Sequence, residues 1–275
     1  MRISHSIAET RVALAGAPRP VGFVPTMGAL HAGHEDLFRR ARAECATLVG
    51  SIFVNPLQFG PSEDYARYPR DLEADARRLA PHRVDLLFAP GAPALYPEGF
   101  STRVTVGALA DGYEGAIRPG HFAGVCTVVL KLLHIVCPDF AYLGRKDAQQ
   151  LAVLTRMVKD LDLPLALVPV ETVREANGLA LSSRNSYLSA ADRGRAPRLA
   201  AGLFRAREAW ARGERDEGRL VATARDATLD YDYLACVDPD TFGPWRPGAD
   251  GLLIAAARLG TTRLLDNCLL PSAGA

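Results

Sequence analysis

Three neighbouring segments limit the folds open to this chain. "VGFVPT" (21–26) is an apolar, β-branched run of strand length. "HEDLFRRARAEC" (34–45) repeats its apolar residues at helical spacing, and "LVGSIFVN" (48–55) is a second apolar run. Strand, helix and strand within about 30 residues make a βαβ unit, which needs parallel strands and a crossover helix.

The alternation continues. "DLEADARRLAP" (71–81) reads as helix and "VDLLFAP" (84–90) as strand. "FAGVCTVVLKLLHIV" (122–136) is a strongly apolar helix stopped by Pro138. "FAYLG" (140–144), "DAQQLAVLTRMVKDL" (147–161) and "LALVPVETV" (165–173) follow as strand, helix and strand. The pattern predicts an α/β fold built on a doubly wound parallel sheet. Near residue 174 the character changes. Helices over 188–213 and 216–228 precede strands at 231–238, 251–260 and 261–270, the last two forming a hairpin around Leu259–Thr262. The expected division is a first domain of 1–173 and a smaller C-terminal α+β domain of 174–275.

Charge excludes some functions. The net charge of +1 over 275 residues sets up no global field for nucleic acid or an anionic membrane, so an anionic ligand must be met by a local pocket. The apolar run 125–137 is interrupted by Lys131 and His134 and falls short of the about 20 residues a bilayer span takes. Five scattered cysteines, with no C-x-x-C, suit reduced thiols in a cytoplasmic protein. Of 32 basic residues only Lys131, Lys146 and Lys159 are lysines, which draws attention to each, since an ammonium and a guanidinium do different work.

"TMGALHAGH" (26–34) occupies the junction of the first strand and the next helix, the end of a parallel sheet where ligands bind. A helix start has unpaired amides and partial positive charge, so an anion is favoured there. Gly28 and Gly33 allow close backbone approach. They match part of a phosphate-loop pattern, but His34 stands where its Lys belongs and Glu35 where its Ser or Thr belongs, which excludes that motif. Two imidazoles three residues apart, His31 and His34, can donate to phosphoryl oxygens. A turn with two exposed histidines fits the same letters. A metal site fits less well, for want of a nearby third ligand.

Four further stretches carry candidate groups. Asn55 and Gln58 follow the second strand, where neutral amides suit a polar uncharged substrate group or an ordinary hydrophilic connection. Asp71 and Asp75 share a helix face, open to magnesium or, more simply for Asp71, to solvent. "RPGHFAGV" (118–125) puts Arg118 and His121 at a helix entry. "GRKDAQQ" (144–150) puts Lys146 and Gln150 at another, where Asp147 can act as cap. "SSR" (182–184) offers two hydroxyls and a fixed cation, as a phosphate clamp or as a serine-rich linker.

In this order, "PTMGALHAGH", "VNPLQFGPSEDYARYPRD", "RPGHFAGV", "GRKDAQQ" and "NGLALSSRNSYLS" resemble the successive motifs of the pantothenate synthetase (pantoate–β-alanine ligase) family, from about residue 20 to 190. The resemblance implies a Rossmann-like nucleotidyltransferase with a HIGH-type histidine motif. It implies that pantoate attacks the α-phosphate of ATP, giving pantoyl-adenylate and pyrophosphate, and that β-alanine then releases pantothenate and AMP. Met27, Gly28, Ala29, Leu30, His31, Ala32, Gly33 and His34 would line the ATP site, with His34 catalytic and His31 assisting. Gly144, Arg145, Lys146 and Asp147 would also bind ATP, Lys146 at the phosphates and Asp147 at the ribose. Val173 would touch adenine, and Leu181, Ser182, Ser183 and Arg184 would close over the triphosphate, Lys146 and Arg184 lending catalytic charge. Gln58 and Gln150 would hold pantoate, with Asn55 near them. Mg²⁺ would accompany ATP, with no tightly bound cofactor and no protein metal site. Nucleic acid and membrane are not expected as partners, and a homodimer is.

The chain departs from the family pattern at Arg145 (Glu or Gln expected), Leu181 (Met), Asn177 (Asp) and Ile117 (a small polar residue), none of them a proposed catalytic group. Two rival functions remain. A nucleotidyltransferase acting on a phosphorylated acceptor would need more cations than Asn55 and Gln58 supply. A non-catalytic nucleotide sensor could dispense with the His, Lys and Arg set.

Overall fold

The computed structural model describes residues 1–61 and 63–272. Its chain divides into two compact units, Met1–Arg145 with Val153–Glu171, and Lys146–Ala152 with Thr172–Ala275. The split near 171 lies close to the expected 173. The piece Lys146–Ala152, which sequence order assigns to the first domain, clusters with the second.

The first unit runs β1 (Arg2–Ser4), α1 (Ile7–Leu14), β2 (Val21–Thr26), α2 (Ala32–Glu44), β3 (Thr47–Ile52), α3 (Leu72–Leu79) and β4 (Leu86–Phe88). Short helices α4 (Ala92–Leu95) and α5 (Glu114–Ile117) precede α6 (His121–Val136), β5 (Phe140–Gly144), α7 (Ala148–Asp160, in this unit from Val153 onward) and β6 (Ala166–Val170). Six parallel strands form one sheet in the order β1-β4-β3-β2-β5-β6, flanked by helices. The order reverses between β2 and β5, so a crevice opens at their carboxyl ends. The parallel α/β sheet expected from the alternation is the one observed.

Burial explains the composition of the strands. Val21, Gly22, Phe23 and Val24 are all buried, although successive residues point to opposite faces of the sheet. On one face Val24 joins Leu37, Phe38 and Ala41 of α2, Leu79 of α3 and Tyr142 of β5 in a single cluster. α2 fits closely there because two strand residues lack side chains. A Cβ on Gly50 would lie 2.8 Å from the ring of Phe38, and one on Gly22 would lie 2.6 Å from Sγ of Cys45. α6 is apolar around most of its circumference and is mostly buried, with Phe122, Val125, Cys126, Leu132 and Val136 among its buried residues.

The second unit contains α8 (Ala190–Arg195), α9 (Pro197–Ala211), α10 (Glu217–Ala224) and an antiparallel sheet of β7 (Asp230–Val237), β8 (Gly251–Leu259) and β9 (Thr262–Leu270). The expected hairpin turns at Gly260, and Leu259 pairs with Thr262. The expected single helix over 188–213 is two helices, because Pro197 lacks an amide hydrogen and cannot continue α8. The core joins Leu199, Leu203 and Trp210 of α9 to Leu220, Leu253 and Leu264.

Candidate active site

Residues 27–31 connect β2 to α2 in a conformation set by backbone demands. Gly28 has φ +83°, and a Cβ there would stand 2.8 Å from Oδ2 of Asp75 and 3.1 Å from Ile52. Ala29 is also left-handed, at φ +51°. The amides are satisfied in sequence. Gly28 N–H donates to Oγ1 of Thr26 (3.2 Å), Ala29 N–H to Oδ2 of Asp75 (3.0 Å), and Leu30 N–H to Oδ1 of Asp75 (2.8 Å). Burial pushes the Asp75 carboxyl above its ordinary range, against the two amide bonds that favour its ionised form. Asp71, its companion in the sequence, caps α3 by accepting from Ala74 N–H (2.8 Å).

The histidines form a capping box at the start of α2. His31 Nδ1 accepts from Gly33 N–H (3.1 Å), and His34 Nδ1 accepts from His31 N–H (3.3 Å). Their ring centroids are 4.1 Å apart. Because each Nδ1 is an acceptor, the neutral rings carry their proton on Nε2. His31 O accepts from His34 N–H (2.8 Å) and Glu35 N–H (3.1 Å). The helix start is therefore different from the open amide nest the sequence implies. The amides of Gly33, His34 and Glu35 all have acceptors within the turn, which leaves more of the work of meeting an anion to the helix dipole and the side chains of the loop.

After β3 the chain turns over Asn55 and Gln58. Asn55 is 1% exposed and fully engaged: Nδ2 donates to Oε1 of Gln58 (3.0 Å) and to Gly124 O (3.1 Å), while Oδ1 accepts from the Tyr96 hydroxyl (2.8 Å) and Leu57 N–H (3.2 Å). Both amide hydrogens are used inside the fold, so Asn55 orients Gln58. Gln58 Nε2 lies 3.3 Å from Sδ of Met27, which brings the amide turn against the histidine loop. α6 packs directly on this turn, where a Cβ on Gly124 would stand 2.2 Å from Leu57 O.

Arg118 and His121, a helix entry in the sequence, buttress the same turn. His121 Nδ1 lies 2.8 Å from Gln58 O, and its Nε2 lies 3.1 Å from Nη1 of Arg118. Arg118 also grips Glu63 in a bidentate pair (2.8 and 2.7 Å). Desolvation alone would raise the Glu63 carboxyl, but the hydrogen bonds and charge of Arg118 hold it below the ordinary range. Sequence reasoning missed Tyr96, Glu63 and the role of Asp75, since each meets its partner only through the fold.

Gly144 ends β5, the strand beside β2, and Arg145 opens the 3₁₀ turn that follows. A Cβ on Gly144 would meet nothing within 4 Å. Arg145, a departure from the family pattern, forms an ion pair with Glu171, Nε lying 2.8 Å from its carboxylate.

The second unit holds the other expected residues. Lys146 Nζ is 3.6 Å from Oδ1 of Asp147, and Lys146 O accepts from Asn267 Nδ2 (2.9 Å). Gln150 lies half-buried in the first turn of α7. Residues 173–181 form a small hairpin in which Leu181 N–H donates to Val173 O (3.0 Å) and Arg174 bridges to Ala180. Its turn is Asn177–Gly178, with Gly178 at φ +92°, a dipeptide that could have identified it from sequence. Oδ1 of Asn177 accepts from Leu179 N–H (3.0 Å), which the carboxylate usual there would also do. Arg174 fixes the hairpin through a bidentate pair with buried Asp266 (2.6 and 2.7 Å). Leu181 to Arg184 follow at once, with Arg184 N–H on Oγ of Ser182 (3.3 Å) and Asn185 Nδ2 on Ala180 O (3.0 Å) closing the loop.

The family model described as pantoate-beta-alanine ligase matches residues 2–269. The pantothenate synthetase of Thermus thermophilus is 53% identical over 97% of this chain and 98% of its own. A crystal structure of pantothenate synthetase from the same species superposes with TM-score 0.92 at 50% identity, covering 98% of this chain and 100% of that one. The pantoate-beta-alanine ligase of Francisella tularensis, solved with a β,γ ATP ligand and β-alanine, gives TM-score 0.81 at 33% identity, covering 100% of both chains. With nearly its whole length matched by that model and its histidine loop and amide turn in place, the chain belongs to the pantoate–β-alanine ligase family.

Proposed function

We infer that this chain is an enzyme that uses ATP to condense pantoate with β-alanine, through pantoyl-adenylate, with release of pyrophosphate and AMP. The observation that carries the reading is the histidine loop, two Nε2–H imidazoles held by main-chain amides at the switch point of a parallel sheet, with Gln58 against it.

The chemistry asks for little covalent help. Pantoate brings its own carboxylate nucleophile, so the first step needs alignment with the α-phosphorus and stabilisation of charge on the phosphoryl oxygens. His34 and His31 supply neutral N–H donors at Nε2 for those oxygens. Lys146 and Arg184 supply fixed positive charge. Met27 to His34, Gly144 to Asp147, Val173 and Leu181 to Arg184 bind the nucleotide, with Asp147 at the ribose and Val173 at adenine. Gln58 and Gln150 bind pantoate through amide groups that match its hydroxyls and carboxylate, and Asn55 acts through Gln58. In the second step the β-alanine amine attacks the acyl carbon and AMP leaves.

Mg²⁺ enters with ATP as part of the substrate. Asp75 lies against the loop backbone, and both its oxygens already accept amide hydrogens. The described residues contain no cluster of three or more His, Cys, Asp or Glu suited to a metal. A cation held by phosphates and water needs no such cluster. Pantoate-dependent exchange of pyrophosphate into ATP tests the reading, and exchange indifferent to pantoate would refute it.

The reading extends to a cytoplasmic homodimer. Five free thiols suit a reducing compartment. No helix of the described residues is long and apolar enough to cross a membrane. Residues 101–107 lie in neither sheet, with Val104 and Val106 half-buried between exposed polar residues, a surface that a second copy would cover. Sedimentation at micromolar concentration checks the dimer, and a monomer there refutes it.

A further inference from the structure

The histidine loop is held from behind by a carboxylate outside its motif. Asp75 lies on α3 and is 5% exposed. Among the described residues it makes no ion pair within 4 Å; its hydrogen bonds come from amides, and the charge of Arg78 favours its ionised form only from a distance. Burying a charge this way opposes folding. An apolar residue would avoid that cost but would strand the Ala29 and Leu30 amide hydrogens without an acceptor, so the carboxylate is accounted for by what it holds.

What it holds is the backbone just before the imidazoles. Ala29 N–H and Leu30 N–H converge on its two oxygens at 3.0 and 2.8 Å. Ala29 sits at φ +51°, a conformation an L-residue keeps when its surroundings impose it. Gly28 at φ +83° has no Cβ, and one there would crowd the same carboxylate. The next residue is His31, whose N–H is the donor that sets His34. The direction of both rings thus depends on a chain of contacts that begins at Asp75.

We propose that Asp75 is a positioning residue for adenylate formation: its two-oxygen grip on Ala29 and Leu30 fixes the loop so that Nε2 of His31 and His34 points at the nucleotide. The proposal rests on the functional reading above. It requires two acceptor oxygens side by side. Asparagine offers one, and its NH₂ would face an N–H. Glutamate keeps both but carries them one methylene further into a filled site.

The test compares Asp75→Asn and Asp75→Glu with the unaltered protein and with Arg78→Ala. Arg78→Ala breaks the pair that Arg78 of α3 makes with Glu35 of α2. Pantoate-dependent ATP–pyrophosphate exchange gives kcat and KM, and ¹⁵N spectra of the imidazoles report their tautomers. Asp75→Asn is expected to lower kcat about 10- to 100-fold, the scale of a misplaced catalytic group, with KM for pantoate within about threefold. Asp75→Glu is expected to show the same split, more weakly, and the His31 and His34 Nδ1 signals are expected to shift in both. Arg78→Ala is expected to leave kcat unchanged. Exchange within about twofold of the unaltered protein in Asp75→Asn, or unchanged imidazole signals, would overturn the proposal. If Asp75→Asn does not fold, Asp75→Glu decides by the same criteria. Absence of exchange in the unaltered protein would refute the functional reading instead, and the imidazole spectra would still judge Asp75.

Discussion

Nδ1 of His121 lies 2.8 Å from the carbonyl oxygen of Gln58, while Nη1 of Arg118 stands 3.1 Å from the opposite ring nitrogen. A carbonyl only accepts and a guanidinium only donates, so His121 is neutral with its proton on Nδ1. Burial first, and the Arg118 charge second, push its pKa down to about 4.

That neutrality gives stability a pH dependence. The unfolded chain takes up a proton at this histidine near its ordinary pKa of about 6.5, and the folded chain resists until about 4. Between these values the unfolded state binds more protons, so stability falls as pH falls. The loss is on the order of 3 kcal/mol and is complete near pH 4. Glu63, whose pKa is lowered, loses its own contribution as pH falls through its folded value, below the ordinary carboxylate range. Urea unfolding between pH 7 and pH 4 should show the first loss, and His121→Asn should lack it. Parallel curves for the two proteins would contradict the assignment.

Tyr96→Phe removes the hydroxyl that accompanies Leu57 N–H on Oδ1 of Asn55. One neutral hydrogen bond is worth about 1 kcal/mol, so KM for pantoate should rise about fivefold with kcat nearly unchanged. Steady-state kinetics with pantoate as the varied substrate decides it. An equal fall in kcat would place Tyr96 in the chemistry instead.

Gly124→Ala should destabilise the protein by about 1–3 kcal/mol, although alanine favours helices, because the new methyl falls on the main chain of Leu57 and Gln58. Thermal unfolding measures the loss. An unchanged midpoint would mean that the turn yields freely.

His31 and His34 can be separated by substitution. His34→Ala should lower the exchange rate by about 10²–10³-fold, the scale of one lost transition-state donor. His31→Asn keeps an acceptor for Gly33 N–H and so should hold stability within about 0.5 kcal/mol, since Asn is a good cap. It removes Nε2–H and should still slow exchange. A stable His31→Asn variant with full activity would reduce His31 to a cap.

Lys146→Arg should be impaired in exchange, because a compact ammonium and a planar fork place their donors differently. An unimpaired variant would remove the argument from the scarcity of lysine in this chain.

These residues also mark how much was legible beforehand. The strands at 21–26 and 140–144, and the hairpin after Gly251, follow from local pattern and appear in place. β1 was not legible, since three residues carry no periodicity and gain their place only by pairing with β4. His31 and His34 could be picked out, but their tautomers could not, because the donors are main-chain amides in a loop whose shape Asp75 sets. Asp75 itself looked like one of two acidic residues on a helix face. Its difference from Asp71 is a matter of burial, which helical spacing does not report.

The contact of Gly124 with the 55–58 turn has a consequence for substrate range. Side chains are the adjustable part of a binding site, and at this seam there are none between α6 and the main chain of Leu57. With Gln58 holding pantoate as proposed, the depth of that side of the site is set by two backbones in contact. Variants meant to accept longer or shorter hydroxy acids must work from the Met27 and Gln58 side chains, because the surface beneath them offers nothing to trim or extend.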